Sequence, residues 1–153
     1  MTQPPPWAIA AARAAHTTRP AALPSVSLAQ WALESAWGRQ TTGAFNFFGI
    51  KAMPRHPSSL HWTHEVVKGE RQLVQCAFRD FESPVEAFGV HGDLLQTASS
   101  CAAYRAALPN LATAADLLGH STPAHPRYAT DPDYGAKLMA VIRGSNLTEY
   151  DHA

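Results

Sequence analysis

The sequence predicts a mostly α (α+β) domain in which one small β-hairpin lobe interrupts a run of helices. Three observations carry this reading. Apolar residues recur at helical spacing in several segments. One stretch, residues 62 to 81, alternates with a period of two instead. Ser, Asp and Pro stand where helices start, as in "SPVE" at 83–86. The chain has 153 residues, 46% of them hydrophobic, which suits a single cored domain spanning 1–153. Twelve basic residues balance twelve acidic ones, so the charge footprint of a nucleic-acid binder is missing from the composition. No stretch approaches the roughly 18 to 20 apolar residues of a membrane span. A monomer with neither nucleic-acid nor membrane partners is expected.

In chain order, "PPP" precedes an Ala-rich helix over residues 7–16 that ends before Pro20. "RPAALPS" turns into a second helix, with Ser25 or Ser27 as its cap. That helix contains "LAQWALESAWG", residues 28–38. On a helical wheel Leu28, Ala29, Ala32, Leu33 and Ala36 share one arc, and Gln30, Trp31, Glu34, Trp37 and Gly38 share the opposite one. An ordinary helix glutamate points into water. Two tryptophans at i−3 and i+3 are out of place on a fully solvated face, however, which marks this face as the wall of a cleft. Gly38 is the expected C′ residue, so Glu34 falls in the last turn, where the negative end of the helix dipole opposes its charge. Burial against indole acts in the same direction, and a carboxyl that stays protonated near neutrality is what a general acid requires.

Residues 39–55, "RQTTGAFNFFGIKAMPR", have no helical period and predict a structured loop with Phe47 and Phe48 packed inward. The next segment, "WTHEVVKGERQLVQCAFRDF", predicts a hairpin turning at "KGE", with Leu73, Gln75, Ala77 and Arg79 on one face and Val74, Cys76, Phe78 and Asp80 on the other. Ser83 as N-cap, Pro84 at N1 and Glu86 at N3 start a helix that runs to about Ser99. Two short helices follow near 100–107 and 111–119. The last takes Asp131 as N-cap and Pro132 at N1, with Tyr134, Leu138, Val141 and Ile142 on its core face. Cys76 and Cys101 lack zinc-ligand spacing and read as buried thiols. "HWTH" offers His61 and His64 but no third ligand, so neither a metal nor another cofactor is expected. The N-terminus lacks a basic leader, and Arg13 interrupts its apolar run, so it does not read as a signal peptide.

A carboxylic acid in an aromatic cleft suits protonation of a glycosidic oxygen, and tryptophan stacks on sugar rings. Such chemistry calls for a second carboxylate, and Glu65, Glu70 and Asp80 are the candidates. Gln30 and Trp37, beside Glu34 on the wheel, and Asp80 are the expected substrate contacts.

"SLAQWALESAWG", "FNFFGIKA", "THEVVKG", "FRDFESP" and "YATDPDYGAKL" together resemble the glucosaminidase family, family 73 of the glycoside hydrolases, from about residue 26 to 147. The resemblance implies a lysozyme-like fold and, as substrate, the glycan strands of peptidoglycan, cut on the reducing side of N-acetylglucosamine. It places the general acid on Glu34, a second carboxylate on Glu65, a substrate-positioning hydroxyl on Tyr128, and the cleft floor on Phe48, Gly49 and Lys51. Phe81 departs from the family, which often has tyrosine there, and Phe47 stands where leucine is usual. The lysozyme-like resemblance admits muramidase or lytic transglycosylase activity as alternatives, and a catalytically dead wall-binding module as one of another class. A chain of this kind without a leader fits a phage or prophage lysin, an effector delivered by a secretion machine, or a fragment of a larger autolysin or flagellar protein, made in the bacterial cytoplasm and reaching the wall by delivery or lysis.

Overall fold

The structure, a computed structural model, describes residues 1–119, 129 and 131–152. Helices α1 (Pro6–Thr18) and α2 (Pro24–Glu34) come first, followed by a long loop and the hairpin β1 (Ser58–Val67) and β2 (Glu70–Arg79). Helices α3 (Pro84–Thr97), α4 (Ala102–Ala107), α5 (Leu111–Gly119) and α6 (Tyr134–Gly144) complete the body, with short 3-10 turns at Ser99–Cys101 and Leu147–Tyr150.

Helix α2 is the centre of the core. Every residue from Pro24 to Ala32 is buried, so the amphipathic pattern read from the sequence does not describe it. Trp31 is completely enclosed; its ring meets Trp7 and Trp37 edge-on at 5.7 and 5.8 Å and lies 6.4 Å from Phe47. A large aromatic at helical spacing fills the interior here instead of lining a cleft. Neither Ser25 nor Ser27 caps the helix, because it begins at Pro24 with Leu23 as N-cap, two residues before the nearer of the two serines. The Asp151 carboxylate supplies the cap from the far end of the chain. It accepts from the Ser25 N–H and from the Ser25 hydroxyl, both at 2.7 Å, at the helix end where the dipole favours negative charge.

Helix α3 follows its sequence signal closely. Ser83 Oγ accepts from the Glu86 N–H at 3.1 Å, and Glu86 reaches back one residue further than a standard capping box, to the Glu82 N–H at 2.7 Å. Helix α6 starts later than expected, with Asp133 as N-cap. Asp131 instead forms the turn ahead of it, accepting from the Asp133 N–H at 2.9 Å and pairing with Lys137. Tyr134, Leu138 and Ile142 are buried as expected, while Val141 is half-buried. Helices α5 and α6 approach so closely that a Cβ on Gly135 would stand 2.4 Å from the Asp116 Cα.

The hairpin is longer than its sequence signal. β1 begins at Ser58, and the turn is the pair Lys68–Gly69, both at positive φ (52° and 81°), as a two-residue type I′ connection requires. Side chains of Ser59, His61, Thr63 and Glu65 share the half-buried face with Val74, Cys76 and Phe78; Leu60, Trp62, His64 and Val66 face solvent. His61 and His64 therefore point to opposite faces. Both cysteines are free; Cys101 is buried as expected, but Cys76 is only half-buried.

The loop between α2 and β1 is held by one buried side chain, Asn46. Its Nδ2 donates to the Ile50 and Arg79 carbonyls at 2.8 Å each, and its Oδ1 accepts from the Ile50 N–H at 3.0 Å. Phe47 and Phe48 turn inward as expected, both 6% exposed. Phe48 stacks on the His91 ring at 3.9 Å and 12°. His91 is fully enclosed, and burial lowers its pKa to about 3. Phe81, the departure from tyrosine, is buried beneath the Arg79 guanidinium at 5.0 Å.

Two stability outcomes are expected. Gly135→Ala should lower the unfolding free energy by about 3 kcal/mol in a urea titration, because the clash is with backbone that has no rotamer to change. His91 stays neutral in the fold, whereas the unfolded chain protonates it near its ordinary pKa of about 6.5. The folded pKa is depressed, so its contribution is intact above about pH 6.5 and is lost as pH falls toward the folded value of about 3. The slope is about 1.4 kcal/mol per pH unit. Denaturation of His91→Gln between pH 7 and 4 should show a flatter loss than the parent chain; parallel curves would contradict this.

Candidate active site

Glu34 is the last residue of α2. Beyond it the chain passes through three left-handed residues, Ala36, Trp37 and Gly38, at φ 49°, 61° and 81°. The Trp37 N–H bonds the Ala32 carbonyl at 2.9 Å, which is the long hydrogen bond of a Schellman end. Ala36 therefore occupies the C′ position expected for Gly38, and two non-glycine residues in this region each carry strain of about 1–3 kcal/mol. Ser35 holds the turn together. Its hydroxyl accepts from the Gly38 N–H at 2.8 Å, and its carbonyl accepts from the Gln40 N–H at 2.9 Å.

Two adjoining cavities of about 420 and 770 Å³ meet at Glu34. Both are lined by Glu34, Phe48, Gly49, Lys51, Thr63 and Glu65; one runs on toward Gln40 and Thr42, the other toward Leu94 and Ala129. Glu34 thus stands partway along an elongated groove. Although its side chain opens to the groove, the surrounding protein desolvates the carboxyl and raises its pKa, with the Tyr134 hydrogen bond opposing the shift. That hydroxyl donates to Glu34 Oε1 at 3.1 Å.

Glu65 lies on the half-buried face of β1 and pairs with Lys51 Nζ at 2.7 Å. Lys51 is brought there by a backbone bridge to Phe78, which adds the loop to the free edge of β2. The hydrogen bond that Lys51 donates to Glu65 is the main reason the Lys51 pKa is raised. Phe48 and Gly49, which lie between Asn46 and Lys51 in the sequence, line the same groove.

Four other candidate residues lie elsewhere. Gln30 is fully buried and donates through Nε2 to the Tyr134 hydroxyl at 3.0 Å, so it cannot touch a substrate. Trp37 packs half-buried against Trp31 and does not line either cavity. The aromatic wall comes from Phe47, Phe48 and Phe78 instead. Asp80 ties the loop to the hairpin, accepting from the Ala44 N–H at 2.7 Å and from Ser59 Oγ at 2.8 and 2.9 Å. Those bonds, Ala44's first, hold its carboxyl below the usual range. Glu70 sits beside the hairpin turn, away from the groove. Tyr128 lies outside the described residues. Among the described residues no group of three His, Cys, Asp or Glu is placed to hold a metal, and no helix is long and apolar enough to cross a membrane. Sequence reasoning missed Tyr134 as a site residue, because a tyrosine on a core face looks structural until its hydroxyl is seen 100 positions away at Glu34.

Residues 9–147 match the Glucosaminidase family, described as mannosyl-glycoprotein endo-beta-N-acetylglucosaminidase. The exo-glucosaminidase LytG of Bacillus subtilis is 35% identical over 135 residues, 84% of this chain and 46% of that protein. An autolysin of Enterococcus faecalis is 37% identical over 134 residues, 83% of this chain and 18% of the other. The chain thus spans less than half the length of these relatives. Among solved structures, the catalytic domain of the autolysin Auto from Listeria monocytogenes superposes with a TM-score of 0.74 at 28% identity, covering 99% of this chain and 91% of that one. A glycoside hydrolase domain of Salmonella typhimurium FlgJ gives 0.67 at 31% identity, covering 90% and 92%. The six helices and two-stranded lobe are those of a lysozyme-like glycoside hydrolase domain, and the chain belongs to the glucosaminidase family, family 73 of the glycoside hydrolases.

Proposed function

We propose that the chain hydrolyses the β-1,4 bond on the reducing side of N-acetylglucosamine in peptidoglycan glycan strands, acting on the bacterial cell wall as a lysin. The observation that carries this is Glu34, a carboxyl with a raised pKa partway along an elongated groove that also contains a second carboxylate. A groove open past the acid on both sides suits a polymer cut within its length. Glu34 gives its proton to the leaving oxygen as the C1–O bond breaks, and positive charge develops at C1. A water oxygen then bonds to C1. Its proton passes to Glu65 where that residue is the base; where the sugar's own N-acetyl oxygen attacks C1 first, Glu65 steadies the charge, and the water that then displaces that oxygen from C1 gives its proton to the Glu34 carboxylate. Lys51 is held against Glu65 at 2.7 Å and fixes where its carboxyl stands in the groove. The names of relatives, which include probable N-acetylmuramidases of Lactococcus lactis at 34% identity, support wall glycan as substrate and make muramidase the second reading.

Digestion of purified peptidoglycan, with borohydride reduction and mass spectrometry of the products, tests this. Reduced N-acetylglucosamine ends are expected from the parent chain. Glu34→Gln should lower kcat by about 1,000-fold with the melting temperature unchanged, and Glu65→Gln by a smaller factor, about 10- to 100-fold. Reduced muramic ends would make the chain a muramidase, and anhydro ends a transglycosylase. Wall binding with no products from the parent chain would leave only the binding module.

A further inference from the structure

We infer that Tyr134 and Gln30 are positioning residues that fix which oxygen of Glu34 carries the catalytic proton. Gln30 and Glu34 are one turn apart on α2 and project from the same side of it. Tyr134, the first residue of α6, spans the two: its hydroxyl accepts from Gln30 Nε2 at 3.0 Å and donates to Glu34 Oε1 at 3.1 Å. A hydroxyl has one proton to give. With Gln30 supplying a hydrogen bond from behind, that proton is directed at Oε1, and the acid proton of Glu34 resides on Oε2. Gln30 is completely enclosed and Tyr134 is only 6% exposed, so the hydroxyl and the amide behind it are shielded from water. The charged groups that line the groove with Glu34 among the described residues are Lys51 and Glu65, and they neutralise each other. Among the described residues the Tyr134 hydroxyl is therefore the side-chain donor that acts on Glu34. The inference rests on the reading of Glu34 as the acid.

Without the hydroxyl, the carboxylate form of Glu34 loses a donor, so its pKa rises and the proton is free to occupy either oxygen. Tyr134→Phe should move the basic limb of the kcat profile up by about half to one pH unit and lower the acidic plateau of kcat about tenfold, with KM within twofold. Gln30→Met, which leaves the tyrosine in place but removes its anchor, should move the limb the same way by less. The double variant should go no further than Tyr134→Phe alone, because Gln30 acts only through the hydroxyl. The Glu34 carboxyl itself should be titrated by carbon-13 NMR in all four proteins. This readout does not depend on activity and would not respond to a merely structural role.

An unmoved Glu34 titration in Tyr134→Phe, or additive shifts in the double variant, would overturn the relay. If Tyr134→Phe does not fold, the Gln30→Met titration decides alone, and no shift there overturns it too. An active Glu34→Gln protein would sink the general-acid reading separately, whatever the titration shows.

Discussion

A helix enclosed on every side can present an ionisable group to solvent only at its end. This constraint organises the molecule. Trp31 and its aromatic neighbours bury α2 so completely that Gln30, on the turn before Glu34, is sealed from water. The Schellman turn and its three left-handed residues then stop the helix, so that Glu34 is the first side chain of α2 to open to the groove. The two ends of this helix meet carboxylates on opposite terms. Asp151 sits at the N-terminus, where free N–H groups and the dipole welcome it, while Glu34 sits at the C-terminus, where dipole and desolvation both disfavour its charge.

The opposite wall depends on a loop without regular structure, and what stiffens it is hydrogen bonding from inside. Asn46 does for residues 46–50 what a β-ladder does for a strand, satisfying three backbone groups at once. Asp80 adds a tie at the base of the hairpin, accepting from the Ala44 N–H and the Ser59 hydroxyl. Phe48, stacked on the neutral His91, anchors the middle of the loop in the body. Lys51 and Glu65 can then meet although they come from different segments.

Much of this was legible in advance, and the reasons are local. Ser83, Pro84 and Glu86 announce α3 because a cap is a contact between near neighbours in sequence. Lys68–Gly69 announces the hairpin because only certain residues tolerate positive φ. Glu34, Glu65 and the Phe48–Lys51 stretch were reachable by resemblance, and the structure gathers them around one groove. What was not legible depends on pairings across the chain. The wheel put Trp31 and Gln30 beside Glu34 on a cleft wall, since periodicity reports faces but not whether both faces are covered. The same pattern hid Tyr134, whose hydroxyl is useful only because α6 crosses α2 at Glu34. Asp80 looked like a catalytic carboxylate because a sequence does not show that its oxygens are already occupied.

The hairpin stands outside the apolar cluster of the body that holds Glu34. Phe78 is buried, yet it does not belong to the hydrophobic cluster of the helices. Backbone bonds join the hairpin to residues 50–57 of the loop: Ala52 N–H to Ala77, Arg79 N–H to Ile50 and Asp80 N–H to Pro57. The two carboxylates therefore sit on differently packed parts of the molecule, Glu34 on the enclosed helix and Glu65 on a hairpin outside the helices' apolar cluster, and few buried apolar contacts are what marks a segment that opens locally. Their separation is a thermodynamic variable instead of a fixed dimension. Any ligand that touches both walls ties these two parts together, so that occupancy of the groove and protection of the hairpin's amides from exchange become one coupled quantity.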